Sequence, residues 1–218
     1  IKVRLTIKIY KLTNREENVN LFKVIVYYKI LEVSVKNLKA RDLVMCSLFV
    51  ALIIVGTFIR VPIPVLPFTL QLLFTMLAGL LLGPELGATA VVVYIILGLI
   101  GLPVFTEGGG FAYVLKPSFG YIIGFAFGAY ATGKIANKNK RPDMKRLLKA
   151  NFVGLAIVYI MGMVYYYFIS NFYLGSPIGV KAIIIYCFLL AVPGDIVLCF
   201  LGAFLGKRLI PVINKAYN

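Results

Sequence analysis

Residues 67–105 read PFTLQLLFTMLAGLLLGPELGATAVVVYIILGLIGLPVF, and Glu85 is the one charged residue in the whole stretch. Two apolar runs meet at Gly83-Pro84. A run of about 20 apolar residues crosses the ~30 Å hydrocarbon layer as a helix, and both runs approach that length. They are too long and too uniformly apolar for the short alternating strands of a membrane barrel. A connection as short as Gly83-Pro84 forces the two helices to lie side by side and antiparallel. Pro103, two residues after Gly101, ends the second run, because proline cannot continue a helix and follows a glycine stop.

The rest of the chain has the same character. Of its 218 residues 61% are apolar, and the mean hydropathy is +0.94, outside the range of a soluble domain. Apolar stretches at 43–59, 65–82, 86–102, 117–132, 152–169 and 182–205 predict an all-α integral membrane protein with six transmembrane helices. Net charge is +15, a value that suggests nucleic acid in a soluble protein. Here the placement of the charges decides otherwise. Twenty of the 23 Lys and Arg residues fall before the first span, around 134–149, or after the last span. Basic residues stay on the cytoplasmic side, so both termini and the 133–151 loop are expected inside a prokaryotic cytoplasmic membrane. The basic face then meets anionic membrane lipid, and no nucleic-acid partner is expected.

Residues 1–35 mix charges with β-branched and aromatic residues and show no helical period. They are expected to form a cytoplasmic N-terminal extension, either peripheral, poorly ordered, or an upstream region translated beyond the true start. Residues 36–218 are expected to form the membrane domain. Between spans one and two, VPIPVLP (61–67) predicts a stiff outer connection, since proline fixes φ and disfavours helix in the residue before it.

Composition excludes several kinds of chemistry. The chain has no histidine, which leaves acid–base catalysis by imidazole unsupported. Cys46, Cys187 and Cys199 are scattered through apolar segments with no metal spacing, so no metal and no cofactor are expected. GAYATGKI (128–135) resembles part of a phosphate-binding loop, but Ile135 stands where Ser or Thr would hold magnesium, and the segment is a helix end. The chain is expected to hydrolyse no ATP and to be no enzyme.

Charge inside a membrane is expensive and marks pathways or pockets. Glu85 beside Pro84 suits a helix start, and Asp143 lies in the basic loop. Asp195, in AVPGDIVLCFLGAFLGKRL, is twelve residues before Lys207, roughly 18 Å along a helix, between mid-membrane and the outer third. Pro193 and Gly194 break the last segment there, so Asp195 either caps a fresh helix, meets a ligand, or does both. LGLIGLPVFTEGGGFAYVLKPSFGYIIGF (97–125) supplies the facing wall. Gly108 to Gly110 permit a sharp turn, and Lys116 precedes Pro117 at the expected start of span four, where a helix N-terminus favours anions. Phe105, Phe111, Tyr113 and Tyr121 add aromatic surface, and Glu107 faces a ligand, Lys116 or water. Gln71, with Thr69 nearby, either joins helices or reaches a polar ligand. Ser47 and Ala51, four apart on the first span, form a smooth stripe for packing within the chain or for docking a partner subunit.

Taken together, VPIPVLPFTLQ (61–71), GLLLGPELGA (79–88), YIILGLIGLPVF (94–105), GGGF with KPSFGYIIGF (108–125) and VPGDIVLCFLGAFLGKRL (192–209) resemble the BioY family, the substrate-capturing subunits of energy-coupling-factor biotin transporters. The resemblance implies six helices, biotin as ligand, and assembly with an energy-coupling-factor transmembrane subunit and two cytosolic ATPase subunits. It implies that the pocket takes in Asp195 and the loop between GLPVF and P-S-F-G-Y. Many members carry Lys three residues after the Asp, where this chain has Leu198, which shifts the expected cationic contact to Lys116. Ser118 replaces a frequent Thr. Capture of another vitamin, or lipid modification in the membrane, are the competing expectations.

Overall fold

The structure is a computed structural model that describes residues 40–61, 68–137 and 142–217. The chain divides into two units, Ile1–Arg41 and Asp42–Asn218. The expectations for residues 1–35 and for Pro62 to Pro67 lie outside the described residues. The described elements are helices apart from one ribbon of two two-residue strands: α1 (Ala40–Phe58), β1 (Arg60–Val61), β2 (Phe68–Thr69), α2 (Gln71–Leu82), α3 (Pro84–Leu99), a 3-10 turn (Phe111–Leu115), α4 (Phe119–Ala136), α5 (Met144–Phe168), α6 (Val180–Ile183) and α7 (Val192–Tyr217). Strand β1 pairs antiparallel with β2, Arg60 opposite Thr69.

Each expected apolar stretch falls on helix, with altered ends. The second begins at Gln71 rather than 65, because Phe68 and Thr69 pair back onto β1. Between α2 and α3 Gly83 turns the chain with φ +88, and Pro84 opens α3 where its missing N–H costs nothing. Pro117 does not open α4, which starts two residues later at Phe119. The fifth stretch starts at Met144 rather than 152, because the Asp143 carboxylate accepts a hydrogen bond from Met144 N at 2.8 Å and caps the helix. Much of the expected basic loop is therefore helix. Arg146 of that first turn donates from Nε to the Ile135 carbonyl, 2.7 Å away at the end of α4, a favourable place for a cation. The expected sixth span is two pieces: α6 continues as π-helix over Ile184–Leu189, the chain turns, and α7 restarts with Pro193 at its second position.

Three segments are long and apolar enough to cross a membrane: Ala40–Phe58, Met144–Tyr173, which includes a π-helical extension of α5, and Val192–Asn214. Gln71–Leu82, Pro84–Leu99 and Val180–Leu189 are apolar but shorter. Roughly 18 Å of α2 falls short of a ~30 Å layer by itself.

Helix α4 is the centre of the assembly, packed on α5 along one side and on α2 and α3 along the other. In lipid there is little hydrophobic drive between helices, so close backbone approach has to supply the attraction. Gly120, Gly124 and Gly128, spaced by four, provide it. A Cβ added at Gly124 would lie 3.0 Å from Val158 Cα, and one at Gly128 would lie 2.9 Å from Val158 Cγ2 and 3.1 Å from the Gly154 carbonyl. On the opposite side Gly133 sits where a Cβ would be 2.6 Å from Pro84 N. Helix α7 closes the bundle against α2 and α5, with Asn151 of α5 donating to the Cys199 carbonyl at 2.8 Å. Helix α1 buries Phe49, Ile53 and Thr57, and Thr57 meets the Tyr94 hydroxyl of α3 at 3.3 Å.

Candidate functional site

The helix starts and the loop after α3 converge on one cavity of about 260 Å³, near the ~300 Å³ lower end for small-molecule sites. Its polar wall is built on α7 and α5. Asp195 stands in the first turn of α7, and its Oδ2 accepts a hydrogen bond from Tyr159 Oη at 2.5 Å. The carboxylate is thus held by a residue of another helix. Gly194 leaves room for the Phe68 ring, since a Cβ there would lie 2.6 Å from it, and this brings β2 against the start of α7.

Gln71 opens α2 and is 3% exposed, yet its Nε2 has no hydrogen-bond partner among the described residues. Tyr121, 6% exposed on α4, has a hydroxyl with no hydrogen-bond partner among the described residues. Both residues line the cavity with Asp195. A buried, unpaired donor costs about 1–3 kcal/mol, so two on one cavity point to a polar ligand that completes them. The same wall carries apolar surface from Phe68, Ile122, Phe125 and Val158.

The other end of the cavity is the loop after α3. Gly101, Gly108 and Gly110 all have φ between +104 and +110, a region closed to most side chains, so these glycines are conformational requirements. The loop is well tied. Phe105 and Gly108 exchange both backbone hydrogen bonds, at 2.9 and 3.2 Å, and Gly110 N donates to the Gly98 carbonyl at 2.7 Å. Arg60 Nη1 donates to the Thr106 carbonyl at 2.9 Å, and Tyr165 of α5 donates from its hydroxyl to the Val114 carbonyl. Lys116 reaches back to form an ion pair with Glu107, Nζ to Oε2 2.6 Å, and lies over the Tyr113 ring at 4.9 Å from its centroid.

Of the ligand contacts expected from the sequence, Asp195, Lys116, Gln71, Glu107, Tyr113 and Tyr121 line this cavity. Phe105 does not. It is 1% exposed, packed between Tyr94 and Tyr113 with centroids 5.4 and 4.5 Å away, in space left by Gly98. It supports the wall from behind. Leu198, three residues after Asp195, is buried. Ser47 and Ala51 are both exposed on α1, so among the described residues the stripe is not packed. The small residue of α1 that does pack inward is Gly56, whose position would bring a Cβ 3.1 Å from the Leu70 backbone.

Tyr159, Tyr166 and Thr106 also line the cavity and went unnoticed in the sequence. Tyr159 had a signal: a tyrosine within an apolar span needs a partner for its hydroxyl, and Asp195 was the intramembrane acid left to explain.

The BioY family model matches residues 32–215. A probable biotin transporter BioY of Lysinibacillus sphaericus is 41% identical over 181 residues, 83% of this chain and 92% of that protein. A biotin transporter BioY of Thermotoga maritima is 40% identical over 134 residues, 61% of this chain and 76% of that one. Among solved structures, the S-component for biotin from an ECF-type ABC transporter superposes with a TM-score of 0.63 at 31% identity, over 78% of this chain and 90% of that chain. The shared fold, the match across nearly the whole described region and the identity to these proteins carry one conclusion: the chain belongs to the BioY family.

Proposed function

We propose that this chain captures biotin at the outer face of a prokaryotic cytoplasmic membrane and delivers it inward as the substrate-binding subunit of an energy-coupling-factor transporter. The observation that carries the reading is the cavity wall on which a tyrosine-held carboxylate, Asp195, stands with two buried unpartnered donors, Gln71 Nε2 and Tyr121 Oη. Biotin has the complementary chemistry: ureido N–H groups for Asp195, a ureido carbonyl for the two donors, and an apolar bicyclic body for Phe68, Ile122 and Phe125. Its carboxylate tail finds Lys116 at the other end. The names of the relatives and of the solved S-component support the same ligand.

The supporting topology has six spans with both termini cytoplasmic. It rests on the charge distribution, with the shorter helices α2, α3 and α6 completed by flanking segments. Uptake against a gradient needs energy that this chain has no loop to draw from ATP, so two cytosolic ATPase subunits and a transmembrane coupling subunit are its partners. The outward-facing Ser47 and Ala51 of α1 are the proposed docking stripe. Anionic lipid meets the cytoplasmic basic residues, and no nucleic acid is involved.

Calorimetric titration of the detergent-purified chain with biotin, thiamine and riboflavin tests the reading. Saturable 1:1 binding of biotin alone supports it; binding of another vitamin instead of biotin, or of none, overturns it.

A further inference from the structure

Two carboxylates, Glu107 and Asp195, and one cation, Lys116, line the cavity among the described residues. A ligand with an anionic tail therefore finds a single cation there, beside two carboxyl groups. Its cation is already paired, with Lys116 Nζ 2.6 Å from Glu107 Oε2. Leu198 supplies no second positive charge. If a ligand carboxylate and Glu107 shared the one ammonium, two like charges would sit within a few ångströms of each other, and each opposes the other.

The geometry lets Glu107 withdraw while Lys116 stays. The backbone around Glu107 is pinned, through Arg60 to the Thr106 carbonyl and through the Phe105–Gly108 pair, so no loop opening is needed. Glu107 sits at the tip of that turn with 54% of its side chain exposed, free to rotate into water. Lys116 has other supports, the Tyr113 ring beneath it and the Glu107 backbone carbonyl at 3.5 Å, neither of which leaves with the carboxylate. The cation thus remains aimed at the cavity mouth after its partner has gone.

We propose that Glu107 is a specificity-determining residue: an internal rival for the ligand's carboxylate, which must give up Lys116 to an anionic tail and so limits what that tail adds to affinity. The proposal rests on the reading of this cavity as a biotin site. An exposed ion pair is weak, so the expected effect is modest, about two- to fivefold in affinity.

The test uses the full chain purified in detergent and two titrants, biotin and its neutral carboxamide, biotinamide, which keeps the ring system and loses the tail charge. Glu107→Gln is expected to bind biotin about two- to fivefold more tightly and biotinamide as the unaltered chain does. Lys116→Gln is expected to bring biotin down to the affinity of biotinamide. An unchanged unfolding temperature without ligand is the check that each variant is folded. If Glu107→Gln leaves biotin affinity unchanged, or weakens biotin and biotinamide together, Glu107 is a brace for the loop and the proposal is overturned while the biotin site stands. If the unaltered chain binds neither compound, the site assignment fails and the proposal with it.

Discussion

Tyr159 Oη lies 2.5 Å from Asp195 Oδ2, joining the middle of α5 to the first turn of α7. One carboxylate oxygen is thereby fixed, and the other is left to accept from a ligand. Hydrogen bonds to charged groups are each worth about 1.5–3 kcal/mol, which is roughly 10- to 150-fold in affinity. Asp195→Ala is expected to abolish most biotin binding, by about 100-fold or more, while the protein still inserts and purifies. Tyr159→Phe keeps the ring and is expected to lose about tenfold, by freeing the carboxylate to rotate. Titration of both single variants and the double variant checks the coupling. A double variant as weak as Asp195→Ala alone is the expected result; fully additive losses would mean that Tyr159 meets the ligand independently.

Gln71 allows stability to be separated from binding. Its Nε2 is buried with no hydrogen-bond partner among the described residues, so a polar ligand that completes it adds binding energy that the free fold lacks. Gln71→Leu, close in size and apolar, is expected to leave the unliganded unfolding temperature unchanged or raise it by a few degrees, and to weaken biotin about tenfold or more. Thermal unfolding with and without biotin measures both at once. A drop in the unliganded unfolding temperature would instead show that Gln71 joins helices.

The glycines of α4 act on the opposite side of that balance. Gly124→Leu would drive a side chain into the α5 backbone, where a Cβ alone already lies 3.0 Å from Val158 Cα. Separation of α4 from α5 is expected to cost several kcal/mol and to appear as a loss of monodisperse protein. Ser47→Leu and Ala51→Leu, on the exposed face of α1, are expected to leave folding and biotin binding intact and to stop assembly with the coupling subunit. Co-purification with that subunit reads the difference. Assembly unaffected by both substitutions would remove this stripe as the docking face.

Helical architecture was legible because apolar runs near membrane length, separated by Gly-Pro and Pro signals, have few other solutions. The ends were less so. Asp143 was read as a loop residue, though an acid directly before an apolar-periodic run is also a helix cap, and the structure uses it that way. For the site, the sequence exposed residues that are costly in lipid, and Asp195, Gln71 and Lys116 do line one cavity. It misplaced Phe105, because an aromatic beside a glycine-rich loop looks the same whether it faces a ligand or fills the space above Gly98. Tyr159 was missed because its role depends on the approach of α5 to α7, a distance no local pattern encodes. Lys116 was one of three partners open to Glu107, and the choice among them depends on the Phe105–Gly108 turn, whose geometry requires positive φ at Gly108.

The proposed six-span topology makes a directional prediction. Cys46, Cys187 and Cys199 are buried, so their replacement by Ala or Ser gives a background for labelling single introduced cysteines. Ser176 lies in the exposed segment between α5 and α6, and Lys145 is exposed in the first turn of α5. Twenty of 23 basic residues fall, along the sequence, before the first apolar stretch, around 134–149 or after the last, so for six spans the positive-inside rule puts Lys145 in the cytoplasm and Ser176 outside. In intact cells a membrane-impermeant maleimide is expected to modify Ser176→Cys, and to modify Lys145→Cys only after permeabilisation. The cavity then opens outward, because Lys116 falls between α3 and α4 on the Ser176 side of the membrane. The reverse labelling pattern would put the biotin site on the cytoplasmic face and exclude capture from outside.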